Sequence, residues 1–375
     1  MTAPDSDPFD LFLVAPPGLE PVLADEARAL GFDSPRVVAG GVETRGDWPE
    51  VWRANLQLRG AVRVLVRLGS FPVFHLAQLD KRAHRFPWAS HLRPDVPLRV
   101  EVTCRKSKIY HAGAAAQRVE TAITDELGAP IVQAADAAAV TLKLRIDDNR
   151  CTISLDSSGE PLHRRGHKEF VGKAPLRETL AAMFLCQCGF DGSGPLVDPM
   201  CGSGTFVLEA AEMAAGLMPG RTRSFAFEQV AGFDAAAWGD MRRGAGATTP
   251  ERRFFGFDRD DGAIRGASAN ARRAGVDGWA GFARQPVSDL APPDGPPGLV
   301  MVNPPYGGRI GSKKLLYGLY GSLGKVLKER FTGWRIGLVT SEPGLARATA
   351  LPFKAPGPPV PHGGLKVTLW QTGAL

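Results

Sequence analysis

The spacing of apolar and polar positions changes character partway along the chain. In residues 9–60, "DLFLVAP" reads as a short apolar strand and "GLEPVLADEARALGF" carries helical spacing. "RVVAGGVETRG" has the alternation and glycines of a hairpin, and "WPEVWRANLQLR" is helical again. "AVRVLVRLGSF" (61–71) alternates small or apolar with basic residues, as a strand with one wet face does. "PLRVEVTC" (97–104) and the pair "AVTLKLRIDDNRCTISLD" (139–156) predict three further strands, the pair closed by an Asp-Asp-Asn turn. Between them the Ala-rich "HAGAAAQRVETAITDELG" (111–128) predicts a helix that ends at Gly128. These elements make a small α+β region.

After "SSGEPLHRRGH" the pattern becomes regular β/α alternation. "APLRETLAAMFLCQCGF" is a helix, and "PLVDPMCGSGTFVLEAAEMAAGL" is a strand, a glycine turn and a helix. A Pro/Gly/Arg-containing stretch interrupts before "RFFGFDRDDGAIRGASANARRAGV" (strand, helix), "WAGFARQ" (strand) and "GLVMVNPPY" (strand). "LLYGLYGSLGKVLKERF" (helix), "WRIGLVTSE" (strand) and a last strand, "LKVTLWQT", complete the chain. Strands alternating with helices predict an α/β domain with a parallel sheet covered on both faces, of Rossmann-like type.

Composition adds little until charge is mapped. The 375 residues carry a net charge of +6 with 44% hydrophobic residues, ordinary for a globular protein of two or three domains. The N-terminus "MTAPDSDPFD" is unlike a secretory leader, and no apolar run is long enough to span a bilayer. Five cysteines without paired ligand spacing predict reduced, packed thiols in a cytoplasmic protein, and no metal site. Three basic stretches stand out: nine Lys/Arg against two acids in residues 81–118, "LHRRGHKEFVGKAPLR" (162–177), and seven against one between Arg309 and Arg335. One such run is ordinarily a solvated face, but three, one of them beside "NPPY", point to a polyanionic substrate. Arg105, Lys106 and Lys108 sit on a strand-to-helix corner suited to phosphates, and Arg164 and Arg165 lie in the stretch joining the halves.

In a doubly wound sheet, ligands bind beyond the carboxyl ends of the strands. "DPMCGSGT", "GFDRD" and "NPPY" all fall there. The glycine loop lacks the Lys of a phosphate-binding loop and the third glycine of a dinucleotide fingerprint. Asp198 at its mouth would repel a pyrophosphate and suits an ammonium, while Asp258 suits two ribose hydroxyls. A nucleoside with an amino-acid tail meets both, which predicts S-adenosylmethionine as cofactor. At the fourth strand end, the Asn303 side-chain oxygen and the Pro304 carbonyl can each accept one hydrogen of an exocyclic amine and aim its lone pair at a methyl donor. Pro304 and Pro305 pre-set that geometry, and Tyr306 offers a ring for a base taken out of its helix. The combination predicts an amino-methyltransferase that needs no strong general base.

"LHRRGHKEFVGKAPLRETLAA", "LVDPMCGSGTFVLEAA", "GFDRD" and "GLVMVNPPYGGRIG", with "PPGLEPVLADEARALGF" and "VVAGGVETRGD" near the start, resemble the class I RNA guanine-N2 methyltransferases that carry an N-terminal THUMP domain. They are similar in particular to the N-terminal half of the RlmL-type ribosomal RNA enzymes. The resemblance implies a ferredoxin-like region at 1–60, a THUMP RNA-binding domain at 61–158 and a class I methyltransferase domain at 159–375. It implies S-adenosylmethionine as donor and guanine N2 as target, most often in 23S ribosomal RNA. The family's cofactor loop falls on Asp198, Pro199, Cys201, Gly202, Ser203, Gly204 and Thr205, its ribose acid on Asp258, and its catalytic corner on Asn303, Pro304, Pro305 and Tyr306. The family's adenine-binding Asp has no match four residues after Phe282, where Pro286 stands, so Asp289 or Ser288 is expected in that role. The chain stops at Leu375, so the second methyltransferase half of fused relatives is expected to be absent. "NPPY" alone equally fits a DNA adenine-N6 or a protein glutamine methyltransferase, and THUMP domains also serve tRNA enzymes. A non-catalytic RNA-binding assembly factor would have no use for Asp198, the glycine loop and "NPPY" together. Neither a membrane nor an obligate protein partner is expected.

Overall fold

The computed structural model describes residues 8–170, 176–244, 246–251, 253–307 and 313–375. Lys173 in the second basic stretch and Arg309 at the start of the third lie outside the described residues. The chain divides into two compact units, one comprising the residues up to Ala15, Ala24–Leu162 and Arg223–Gly244, the other Pro16–Leu23, His163–Thr222 and Ala245–Leu375.

The first unit is built on β1 (Phe9–Val14), α1 (Glu20–Ala29), β2 (Asp33–Val38), β3 (Gly41–Gly46), α2 (Trp48–Gln57), β4 (Arg63–Pro72), α3 (Leu76–His84), β5 (Leu98–Arg105), α4 (Ala112–Leu127), β6 (Val140–Asp147) and β7 (Arg150–Asp156). Its seven strands form one sheet in the order β2-β3-β1-β4-β7-β6-β5. Only β5 and β6 run parallel, joined by α4, which stops at Gly128 (φ +75°) as its sequence predicts. The β6–β7 turn places Asp148 (φ +48°) and Asn149 (φ +58°) in the left-handed region, which these short polar side chains tolerate. Asn55 on α2 is buried and knits the unit together: its amide donates to Ser157 Oγ at 2.9 Å and its oxygen accepts from Ser158 Oγ at 2.6 Å.

The second unit contains α5 (Glu178–Gln187), β8 (Leu196–Asp198) and α6 (Thr205–Ala214). The chain then contributes α7 (Ala235–Arg243) to the first unit and returns with β9 (Phe254–Asp258), α8 (Asp261–Ala274), β10 (Ala280–Arg284), β11 (Leu299–Val302), α9 (Lys313–Arg330), β12 (Arg335–Thr340), α10 (Pro343–Ala348), β13 (Val360–His362) and β14 (Leu365–Ala374). The sheet order is β10-β9-β8-β11-β12-β14-β13. β8 to β12 are parallel and β14 antiparallel to β12, so the carboxyl ends of β8, β9 and β11 open on one edge. Val197, Val300, Val302 and Leu338 on the strands share one core with Tyr320, Leu323 and Leu327 on α9. No helix among the described residues is long and apolar enough to cross a membrane.

Within the interruption between α6 and β9, Ala226–Gln229 form a 3-10 turn and Ala235–Arg243 form α7. Phe227, Phe233 and Trp238 pack against Trp52 of α2, with ring centroids 5.8–6.4 Å apart, and Phe225 packs against Phe227 and Trp238 at 5.2 and 5.8 Å. Both Trp52 and Trp238 are buried, so the segment completes the first unit's core. Helices α3, α7 and α10 had no clear sequence signal because each buries at most two residues of its face.

Candidate active site

The glycine loop leaves β8 at Asp198 and enters α6 at Thr205. Gly202 (φ +52°) and Gly204 (φ +85°) take conformations that L side chains rarely adopt. At Gly204 a Cβ would also meet Phe282 at 3.0 Å, and at Gly256, on β9, it would meet the same ring at 2.5 Å. The two glycines thus clear room for the β10 aromatic ring against the loop. Asn270, fully buried on α8, donates to the Ser203 carbonyl at 3.1 Å and pairs with both backbone polar groups of Phe170. Sequence reasoning missed it, because a lone Asn on an amphipathic helix carries no motif.

Asp198 is 3% exposed, and its Oδ1 accepts the Met200 N–H at 3.1 Å. Burial pushes its carboxyl well above the usual range, and the nearby Asp258 pushes the same way. No cation among the described residues pairs with it, which is the environment in which a ligand's ammonium is stabilising. Asp258 Oδ2 accepts the Gly202 N–H at 3.1 Å and Oδ1 the Asp260 N–H at 2.9 Å. Each oxygen keeps a second lone pair, so hydroxyls can still be accepted. Pro199, Cys201, Ser203 and Thr205 are buried, and burial raises the Cys201 thiol far above its ordinary value, as expected of a packing thiol. Asp289 is exposed on a single 3-10 turn, its Oδ1 accepting from Ser288 Oγ at 3.0 Å. Gln285 donates to the Asp289 carbonyl at 2.7 Å and to the Asp258 carbonyl at 2.9 Å, so both acids sit on one loop edge. The chemistry of this donor set fits an aminoacyl nucleoside.

The "NPPY" corner follows β11 directly. Asn303 is half-buried, and its Oδ1 is fully buried without a hydrogen-bond partner among the described residues. Such an acceptor is costly, on the order of 1–3 kcal/mol, until a donor reaches it directly or after a half-turn of the amide. The corner is braced twice. The buried Tyr320 hydroxyl on α9 donates to the Pro305 carbonyl at 3.3 Å and lies 3.4 Å from Thr340 Oγ1. Gly307 N–H donates to Glu342 Oε1 at 3.1 Å. Neither brace belongs to a motif, and only the fold brings 320 and 342 to the corner.

The structure corrects the second basic stretch. Arg165 is 2% exposed and pairs with Glu209 of α6 at 3.1 Å, so it is not available to RNA. His167 lies 3.2 Å from Glu212, and Lys168 lies 2.8 Å from both Glu178 and Thr205 Oγ1. Arg165 and Lys168 offset acids on α6 and α5, because a buried carboxylate needs a partner, while burial favours the neutral form of His167. Arg164 is exposed, as are Arg105, Lys106 and Lys108 in the first unit. Lys106 sits at φ +47°, and Lys108 N–H donates to Asn149 Oδ1 at 2.9 Å, which fixes the corner's backbone against the β6–β7 turn. No cluster of three or more potential metal ligands occurs among the described residues.

Comparison with known proteins agrees with this geometry. A profile described as "RMKL-like, methyltransferase domain" matches residues 165–352, an RlmL ferredoxin-like domain matches 10–65, and a THUMP domain matches 75–156. A ribosomal RNA large subunit methyltransferase K/L of Syntrophotalea carbinolica is 39% identical over 91% of the chain, which spans about half (50%) of that curated relative. A putative RNA methyltransferase of Synechocystis is 32% identical over 98% of both chains. The crystal structure of SMU.472, a putative methyltransferase complexed with SAH, superposes with a TM-score of 0.85 at 26% identity, over 99% of both chains. By its domain match and by its likeness to the Synechocystis protein, the chain belongs to the RMKL-like methyltransferase family.

Proposed function

We propose that the protein methylates the exocyclic N2 of a guanine in RNA, with large-subunit ribosomal RNA as substrate and S-adenosylmethionine as donor. The observation that carries this reading is the Asn303–Pro304 corner: a stiff strand end with a buried, unpartnered amide oxygen, on the same sheet edge as Asp198 and Asp258. The donor, when bound, supplies an electrophilic methyl. Asp198 holds its ammonium, Asp258 its ribose hydroxyls, and Asp289 or a neighbouring group its adenine. Asn303 Oδ1 and the Pro304 carbonyl each accept one amine hydrogen and turn the nitrogen lone pair towards that methyl. Tyr306 stacks the extruded base. Tyr320 keeps the Pro305 carbonyl, and with it the corner's plane, from rotating.

Arg105, Lys106, Lys108 and Arg164 serve RNA backbone contacts; RNA as substrate is supported by the THUMP match and the ribosomal choice by the relatives' names. An enzyme with that substrate works in the cytoplasm. A transfer RNA substrate is the second reading, supported by the THUMP domain itself.

Asn303→Ala should lower turnover by at least 100-fold while donor affinity stays within threefold, measured by a radiolabelled methyl-transfer assay beside calorimetry; full turnover would contradict the assigned acceptor. Asp258→Ala should instead weaken donor binding at least tenfold, and unchanged affinity would reject its ribose role. Reversing charge at Arg105, Lys106 and Lys108 should weaken RNA binding and flatten its salt dependence, with a slope lower by about 2–3.

A further inference from the structure

We infer that Glu342 is the residue that distinguishes guanine from adenine at this corner, by accepting the guanine N1–H. The inference rests on the reading above and extends it to the choice of base. The corner cannot make that choice, since adenine and guanine each present an exocyclic amine with two hydrogens to Asn303 and Pro304. The difference lies on the adjacent ring nitrogen of the Watson–Crick edge. Guanine N1 carries a proton and donates; adenine N1 is a bare lone pair and accepts. A carboxylate at that point attracts the first and repels the second.

Glu342 meets the geometric demand. It follows β12 on the sheet edge where the strands end, and its Oε1 accepts the N–H of Gly307, the residue directly after Tyr306. That one bond needs one oxygen. No hydrogen bond or ion pair engages Oε2 among the described residues, and the side chain is half-buried rather than dispersed in solvent. Burial chiefly raises the titration of the Tyr320 phenol, Tyr306 and Glu342 raise it further, and that phenol donates to the Pro305 carbonyl directly before Tyr306. A neutral Gln would brace Gly307 equally well. A second charged oxygen beside a polyanion-binding site is unfavourable unless it meets a donor, and guanine N1–H is the donor that the extruded base provides.

The test uses the full chain and a large-subunit ribosomal RNA fragment whose methylated guanosine has been mapped with the wild-type enzyme. At that position guanosine is compared with 2-aminopurine riboside, which keeps the 2-amino group and lacks the N1 proton. Wild-type kcat/KM should favour guanosine by about 100-fold or more, since a site built around a donor rejects the analogue that lacks it. Glu342→Gln keeps an acceptor for Gly307 and adds an amide N–H for the bare N1. It should narrow that preference at least tenfold while donor affinity, read by calorimetry, is unchanged. A variant that loses activity on both bases by the same factor, or keeps the wild-type ratio, overturns the assignment and leaves Glu342 as a brace only. If the initial mapping with the wild-type enzyme finds methylated adenosine and no methylated guanosine, the proposed function itself is overturned, a result distinct from either outcome for the variant.

Discussion

The candidate site in the second unit depends on how β11 ends. The strand is hydrogen-bonded on both sides, to β8 and to β12, and all four of its residues are buried. Pro304 and Pro305 have no N–H to continue either ladder, so the sheet opens at that point and the Asn303 amide is held at the opening. A flexible loop there would have to be ordered with each substrate, at a cost of about 1–2 kcal/mol per residue. The prolines remove much of that freedom in advance. Tyr320 and Glu342 remove more, one gripping a carbonyl inside the corner and the other an N–H just past it.

The neighbouring strand ends read the same way. β8 and β9 each finish on an acid, and both acids are tied to backbone amides rather than to cations. That choice keeps Asp198 and Asp258 in place yet leaves their charge to be met by a ligand. Elsewhere the protein pairs buried acids with its own cations, as with Glu209 and Arg165, Glu178 and Lys168, and Asp156 and Arg63. The contrast separates carboxylates paired within the chain from carboxylates that meet only backbone amides among the described residues.

Much of this was legible in the chain. The change from hairpins to β/α alternation, the glycine loop, the acid ending the second strand and the Asn-Pro-Pro-Tyr corner all have local signatures, and each fell at the strand end that the alternation assigned to it. The last strand was legible too, as β14, though its antiparallel direction is set by its pairing with β12. What stayed hidden was whatever tertiary pairing decides. Arg165 looks like a surface cation because nothing in "LHRRGH" announces that Glu209 will lie against it. The segment 223–244 looks like a loop because its aromatic residues find Trp52 only when the first unit is folded. Tyr320 and Glu342 read as an ordinary helix residue and an ordinary cap, and their role exists only where α9 and the end of β12 converge on the corner.

The account turns on one claim, that the amine received by Asn303 belongs to a guanine in large-subunit ribosomal RNA. The direct measurement is nucleoside mass spectrometry on 23S ribosomal RNA and transfer RNA incubated with the enzyme and isotopically methyl-labelled S-adenosylmethionine. Labelled N2-methylguanosine, confined to the 23S RNA and lost with Asn303→Ala, is the predicted result. Label appearing in N6-methyladenosine, or in transfer RNA alone, would contradict it.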